Sequence, residues 1–164
     1  MRAEDVKRMI EEPQISPLGQ KPMEIALEAA RDAAKRGEVP VGAVVTQNGQ
    51  ILAIASNRTL TDRDPTAHAE ILALRQAAQL CGSERLIGCD LYVTLEPCAM
   101  CAGAISLARI RRLYFGASDP KGGAVEHGPR FFSQKTCHHA PELYGGLGAS
   151  DAAALLKTFF AERR

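Results

Sequence analysis

The 164-residue sequence has almost no net charge: twenty lysines and arginines stand against nineteen aspartates and glutamates, leaving +1. Overall charge therefore gives no bias toward nucleic acid, and any such partner must be met by a local patch. No run approaches the ~20 apolar residues of a membrane span. The first twenty residues mix Arg2, Lys7 and Arg8 with Glu4, Asp5, Glu11 and Glu12 and have no apolar secretory stretch, so a cytoplasmic location is expected. Internal repeats and low-complexity tracts are missing as well. The five cysteines are an odd number with no export signal, which argues against a disulfide framework and for metal or redox chemistry in a reducing compartment.

What is present fits one globular domain of 17.6 kDa, 46% hydrophobic and 24% charged. Residues 1–21, ending in PQISPLGQK, read as a polar, flexible leader, and 22–164 as a single domain. From Pro22 the apolar positions Met23, Ala26, Leu27, Ala30 and Ala33 predict a helix stopped at Gly37. Two β-branched runs around Asn48-Gly49 predict an antiparallel hairpin. AHAEILALRQAAQL predicts a second helix, with Asp64 and Pro65 as cap and first turn. DLYVTLE, PCAMCAGAISLARI (opening at Pro97) and RRLYFGA then read as strand, helix and parallel strand. Residues 118–148 show weak periodicity, and SDAAALLKTFFAERR closes the chain as a helix capped by Ser150 or Asp151. The expected class is α/β: a mixed sheet with an N-terminal antiparallel hairpin followed by a β-α-β crossover.

Two short segments carry the chemistry. Cys98 and Cys101 are three apart at a predicted helix opening, where the helix dipole favours thiolates, and together they make a bidentate grip for zinc. His68 supplies a natural third ligand. The sequence has no second CxxC and no HxxxH, so a closed site would have to recruit His127, Cys137, His138 or His139, and an open site is the simpler count. Glu70 stands two residues from His68, an offset of about 200° in a regular helix. The helix must begin at His68, or the longer Glu side chain must bend back. The other cysteines, Cys81, Cys89 and Cys137, read as small buried hydrophobes.

His68-Ala69-Glu70 followed by Pro97-Cys98-Ala99-Met100-Cys101 is the H-x-E…P-C-x-x-C pattern of zinc deaminases. With EVPVGAVV, SNR, DPTAHAEILALRQA, LYVTLEPCAMCAGAI and RIRRLYFGASDPKGG, the chain resembles the bacterial tRNA adenosine deaminases of the cytidine deaminase-like superfamily. The resemblance implies a three-layer α/β/α fold, one Zn2+ per subunit held by His68, Cys98 and Cys101, and Glu70 as proton shuttle. It implies Asn57 as a hydrogen-bond partner of the flipped base, and a homodimer. The implied reaction converts adenosine to inosine at the wobble position of a tRNA anticodon by attack of zinc-activated hydroxide on adenine C6. The segment HGPRFFSQKTCHHAPELYGG departs from the enterobacterial form of the pattern.

For the tRNA anticodon stem-loop, Arg109, Arg111, Arg112, Lys121, Arg130 and Lys135 read as a local basic patch, and Phe131 and Phe132 as a stacking surface or as packing. Asp119 and Lys121 are expected to touch ribose or phosphate, with Arg130 and Phe132 as further substrate contacts. Two other readings remain: a deaminase of free guanine, cytosine or cytidine, and a non-catalytic zinc module with four ligands and no task for Glu70.

Overall fold

The computed structural model describes residues 21–163, so the expected leader lies outside the described residues but for Lys21. The elements are α1 (Pro22–Lys35), β1 (Gly42–Gln47), β2 (Gln50–Ser56), α2 (Ala69–Cys81), β3 (Cys89–Leu95), α3 (Ala99–Leu107), β4 (Arg112–Ala117), β5 (Glu142–Gly145) and α4 (Ala149–Ala161). One sheet runs in the order β2-β1-β3-β4-β5. β1 is antiparallel to β2 and β3, whereas β3, β4 and β5 are mutually parallel. The hairpin and the crossover both form as the sequence leads one to expect.

Strand alternation sorts side chains into two cores. Ala43, Val45, Leu91, Val93, Leu113 and Phe115 pack with Ala69 and Ala73 of α2 and Ile105 of α3. On the other face Val44, Tyr92 and Tyr114 meet Met23, Ala26 and Leu27 of α1 and Ala152 of α4. The result is a three-layer α/β/α sandwich. Close approach of α1 to the sheet needs Gly42, where a Cβ would run into the Ala26 carbonyl oxygen.

Two details differ from expectation. β5 falls within the segment of weak periodicity; all four of its residues are exposed, so they carry no alternating pattern to read. Pairing makes it a strand: Tyr92, Tyr114 and Tyr144 stand in register across β3, β4 and β5 and stack at 4.5 and 4.9 Å between ring centroids. Helix α4 is capped by Gly148 rather than by Ser150 or Asp151. Gly148 has a left-handed backbone (φ 71°) that turns the chain into the helix early, leaving Asp151 in the first turn, where the dipole favours a carboxylate.

The carboxyl ends of β3 and β4 and the amino ends of α2 and α3 meet at one cavity: β3 runs straight into Glu96, Pro97 and Cys98, β4 leads into Asp119, and α2 brings His68 and Glu70. In open α/β sheets this end is where ligands bind.

Candidate active site

His68 is the residue before α2 and has an extended backbone (φ −75°, ψ 152°), so the first helical residue is Ala69. The 200° helical offset between His68 and Glu70 therefore does not apply, and both side chains reach the same cavity. Asp64, expected as the cap, instead closes a turn: its carboxylate accepts from the Thr66 backbone N–H at 2.9 Å and hydroxyl at 2.7 Å. That turn leads into the extended residue at 68, and the helix starts only beyond it. The approach is pinned by the Arg58 N–H donating to the Ala67 carbonyl at 3.0 Å.

Helix α3 begins the same way. Cys98 is its extended cap (φ −74°, ψ 175°), so Pro97 precedes the helix rather than opening it, and Cys101 lies in the first turn. His68 Nδ1 is 3.6 Å from Cys98 Sγ and 3.5 Å from Cys101 Sγ. These three atoms lie within 4.8 Å of one another. One nitrogen and two sulfurs on two helix amino ends form a donor set suited to zinc. None of the four alternative ligands, His138 included, belongs to this group: His127 bonds Glu96, His139 Nε2 bonds the Ile110 carbonyl, and the Cys137 thiol donates to the His139 carbonyl.

The Cys101 thiol, hydrogen-bonded to Cys98, pushes the Cys98 pKa down to about 4, against the effect of burial. The shared proton and burial push Cys101 up, and the bond to Cys98 raises His68. Glu70 is 5% exposed, and burial raises its carboxyl above the usual carboxylate range. A buried carboxyl facing the cavity beside the His/Cys/Cys group is suited to passing protons.

His68, Glu70 and Cys98 open onto a cavity of about 260 Å³. Its polar lining includes Asn57, His68, Glu70, Cys98 and Asp119, and its apolar lining Val39, Val41 and Leu95. The volume is below the roughly 300–1,000 Å³ of pockets that enclose drug-sized ligands and suits one flat heterocycle. Asn57 is buried, and its backbone N–H donates to the Val41 carbonyl at 3.1 Å.

Residues 19–164 match the family model of the MafB19-like deaminases. The chain belongs to this deaminase family. It is 61% identical over 142 residues to the tRNA-specific adenosine deaminase of Agrobacterium fabrum, covering 87% of this chain and 93% of that protein. A solved structure from a study of A-to-I editing by tRNA:A34 deaminases superposes with a TM-score of 0.81 at 61% identity, covering 82% of this chain and 98% of that one. A guanine deaminase from Nitrosomonas europaea superposes with a TM-score of 0.71 at 25% identity, covering 98% of this chain and 94% of that one.

Within this deaminase, the remaining residues singled out from the sequence fall in different places. Asp119 lines the cavity, and its carboxylate accepts the backbone N–H groups of Lys121 at 3.2 Å and Gly122 at 3.0 Å. Lys121 and Arg130 are exposed, and neither lines the cavity. Phe132 is half-buried against the core beneath α2 and α3 and stands edge-on to Phe131. The basic patch divides. Arg111 forms a bidentate pair with the buried Asp90 at 3.0 and 2.9 Å, and Arg112 reaches Glu142 at 3.3 Å. Both precede or open β4, at the opposite end of the strand from Asp119. Of the other cysteines, Cys89 is buried as expected, but Cys81 is exposed at the end of α2 and Cys137, in the irregular segment before β5, is half-buried.

Besides Asp90, which pairs with Arg111, sequence reasoning passed over two buried carboxylates that order loops of the site. Glu38 is fully buried and accepts from the Thr61 N–H at 2.7 Å, the Thr61 hydroxyl at 2.8 Å, and the Leu60 N–H and Thr59 hydroxyl at 3.4 Å each. It thus orders the loop that leaves Asn57. Glu96 does the same for the loop after β4. Burial alone would raise both carboxyls, but the converging hydrogen bonds outweigh it and hold them below the usual range. The only signal for either in the sequence is a glutamate beside a strand, flanked by Val39 or Pro97, which distinguishes nothing.

Proposed function

We propose that this chain is a hydrolytic deaminase that converts adenosine to inosine at the wobble position of a tRNA anticodon. The observation that carries the reading is one cavity lined by His68, Cys98, Glu70 and Asn57, with the buried Cys101 thiol grouped behind it with His68 and Cys98, in a chain 61% identical to a tRNA-specific adenosine deaminase.

His68, Cys98 and Cys101 would hold zinc, which supplies the Lewis acidity that makes water nucleophilic near neutral pH. Glu70 takes a proton from the attacking water and passes it to ring N1. It then takes the second proton from the hydroxyl now on C6 and delivers it to the departing amino nitrogen, so that water and adenosine become inosine and ammonia. The Asn57 amide donates to and accepts from the base edge, while Val39, Val41 and Leu95 exclude bulk water. Such a cavity admits a base only after it leaves its stack, and an anticodon loop already presents unpaired bases. Asp119 faces the sugar, with Lys121, Arg130 and Phe132 extending contact to the flanking loop.

The active form we infer is a cytoplasmic homodimer. No helix among the described residues is long and apolar enough to cross a membrane. Support for a second copy is an apolar groove between α2 and α3, lined by Ile71, Leu74, Ala78, Ala104 and Leu107, with Leu107 70% exposed. Sedimentation at micromolar concentration should give a dimer, and a monomer would sink that part of the reading.

The decisive assay is ammonia release by the zinc-loaded protein from an anticodon stem-loop, beside free guanine, cytosine and cytidine. Release from the RNA alone is expected. Release from a free base alone would place the chain functionally with the guanine deaminase it resembles in fold.

A further inference from the structure

The segment from Asp119 to His127, sequence DPKGGAVEH, belongs to no helix or strand, yet through Asp119 and Gly122 it walls the cavity. The Asp119 carboxylate closes its first turn and the Ala124 N–H donates to the Pro97 carbonyl at 2.9 Å, but one side chain from outside the segment ties its two ends together. Glu96 Oε1 accepts the Asp119 N–H at 3.0 Å and sits 2.8 Å from His127 Nδ1. Its Oε2 accepts the N–H groups of Val125 at 3.2 Å, Glu126 at 3.1 Å and His127 at 3.2 Å. The Glu96 side chain is completely buried, and the loop closes on it from both ends. With its oxygens so occupied, the grouping of Glu96, Glu126 and His127 has little left for a cation. The fit is tight at Gly123, where a Cβ would collide with the Glu96 carboxylate and stand 2.5 Å from the Asp119 carbonyl oxygen.

We propose that Glu96 is a positioning residue: by clasping the Asp119–His127 loop it fixes the wall that grips the target nucleotide, and so governs substrate affinity rather than the chemical step. The inference rests on the deaminase reading of the cavity. Without the Glu96 bonds the two ends of the loop gain freedom that substrate must remove on arrival, and that entropy is drawn from binding. Bonds from backbone N–H groups to a carboxylate are charge-assisted and preset the wall.

Glu96→Gln tests this with side-chain volume preserved. With its carbonyl in the place of Oε2 the amide still serves Val125, Glu126 and His127, but its NH2 faces the Asp119 N–H. Zinc content should stay at that of the parent, kcat within about twofold, and KM for the anticodon stem-loop should rise about tenfold. Gly123→Ala, which disturbs the clasp from the loop side, should reproduce the rise in KM. Amide hydrogen exchange at Asp119 should speed up in Glu96→Gln. An unchanged KM, a fall in kcat alone, or loss of zinc would overturn the assignment. If the parent enzyme deaminates no RNA, the substrate reading has failed and the exchange measurement decides by itself: equal protection of the Asp119 amide in parent and variant rejects the clasp, and selective loss upholds it.

Discussion

The two sides of the cavity are made by different means. On one side, His68 and Glu70 enter α2, and Cys98 and Cys101 enter α3, each pair placed by an extended cap followed by a helical turn. On the other, Asn57 and Asp119 sit on irregular loops, each ordered by a buried carboxylate more than twenty residues distant, Glu38 from Thr61 and Glu96 from Asp119. The first side is set by local backbone geometry, the second by long-range hydrogen bonds. Chemistry should therefore fail completely when the first is damaged, and affinity or stability should erode when the second is.

The largest effect is expected at the helix entries. Cys98→Ala removes one of the three donors proposed to hold zinc and should abolish both zinc retention and turnover, with a lower melting temperature because bound metal would stabilise the fold. Metal analysis after dialysis is the check, and full zinc occupancy would refute the ligand set. Glu70→Ala leaves the donor atoms in place, so zinc should be retained while kcat falls by about 10²–10⁴-fold. Parental turnover by that variant would remove Glu70 from the proton pathway.

This contrast also explains how much the sequence disclosed. The sheet, its hairpin and the helix-borne residues were legible because alternation, Asn48-Gly49 and the H-x-E and C-x-x-C spacings are local signals. The 200° difficulty at Glu70 arose from treating His68 as helical, and a cap is where helical periodicity stops applying. β5 escaped notice because its evidence is the tyrosine register with β4, a property of the partner strand. Glu38 and Glu96 escaped because a buried carboxylate that binds distant N–H groups leaves no period in its own neighbourhood.

A middle-sized effect is expected for the loop beside Asn57. The folded-state pKa of Glu38 is lowered from 4.5, so its contribution to stability is present above that value and is lost as the pH falls through the depressed one. At neutral pH, Glu38→Gln should destabilise the fold by about 1–3 kcal/mol, the range for disturbing hydrogen bonds to a buried acceptor. The deficit should shrink on acidification below about pH 4.5, because the parent then loses what the variant already lacks. Thermal melts across that range test the point, and a constant deficit would show that the charge of Glu38 is not what orders the loop.

The smallest expected effect separates the two ends of the sheet. Lys121 is exposed on the loop that walls the cavity, whereas Arg112 opens β4 at the far end and is paired with Glu142. If RNA lies over the cavity, Lys121→Ala should weaken stem-loop binding modestly and reduce the slope of log K against log salt by about one, the loss of one phosphate contact. Arg112→Ala should leave that slope unchanged, since its charge is already matched and lies a strand's length from the substrate. Filter binding at several salt concentrations distinguishes the two. A slope change at Arg112 with none at Lys121 would move the RNA track to the opposite end of β4, leaving the chemistry of His68, Cys98, Cys101 and Glu70 in place but requiring another path for the anticodon to reach it.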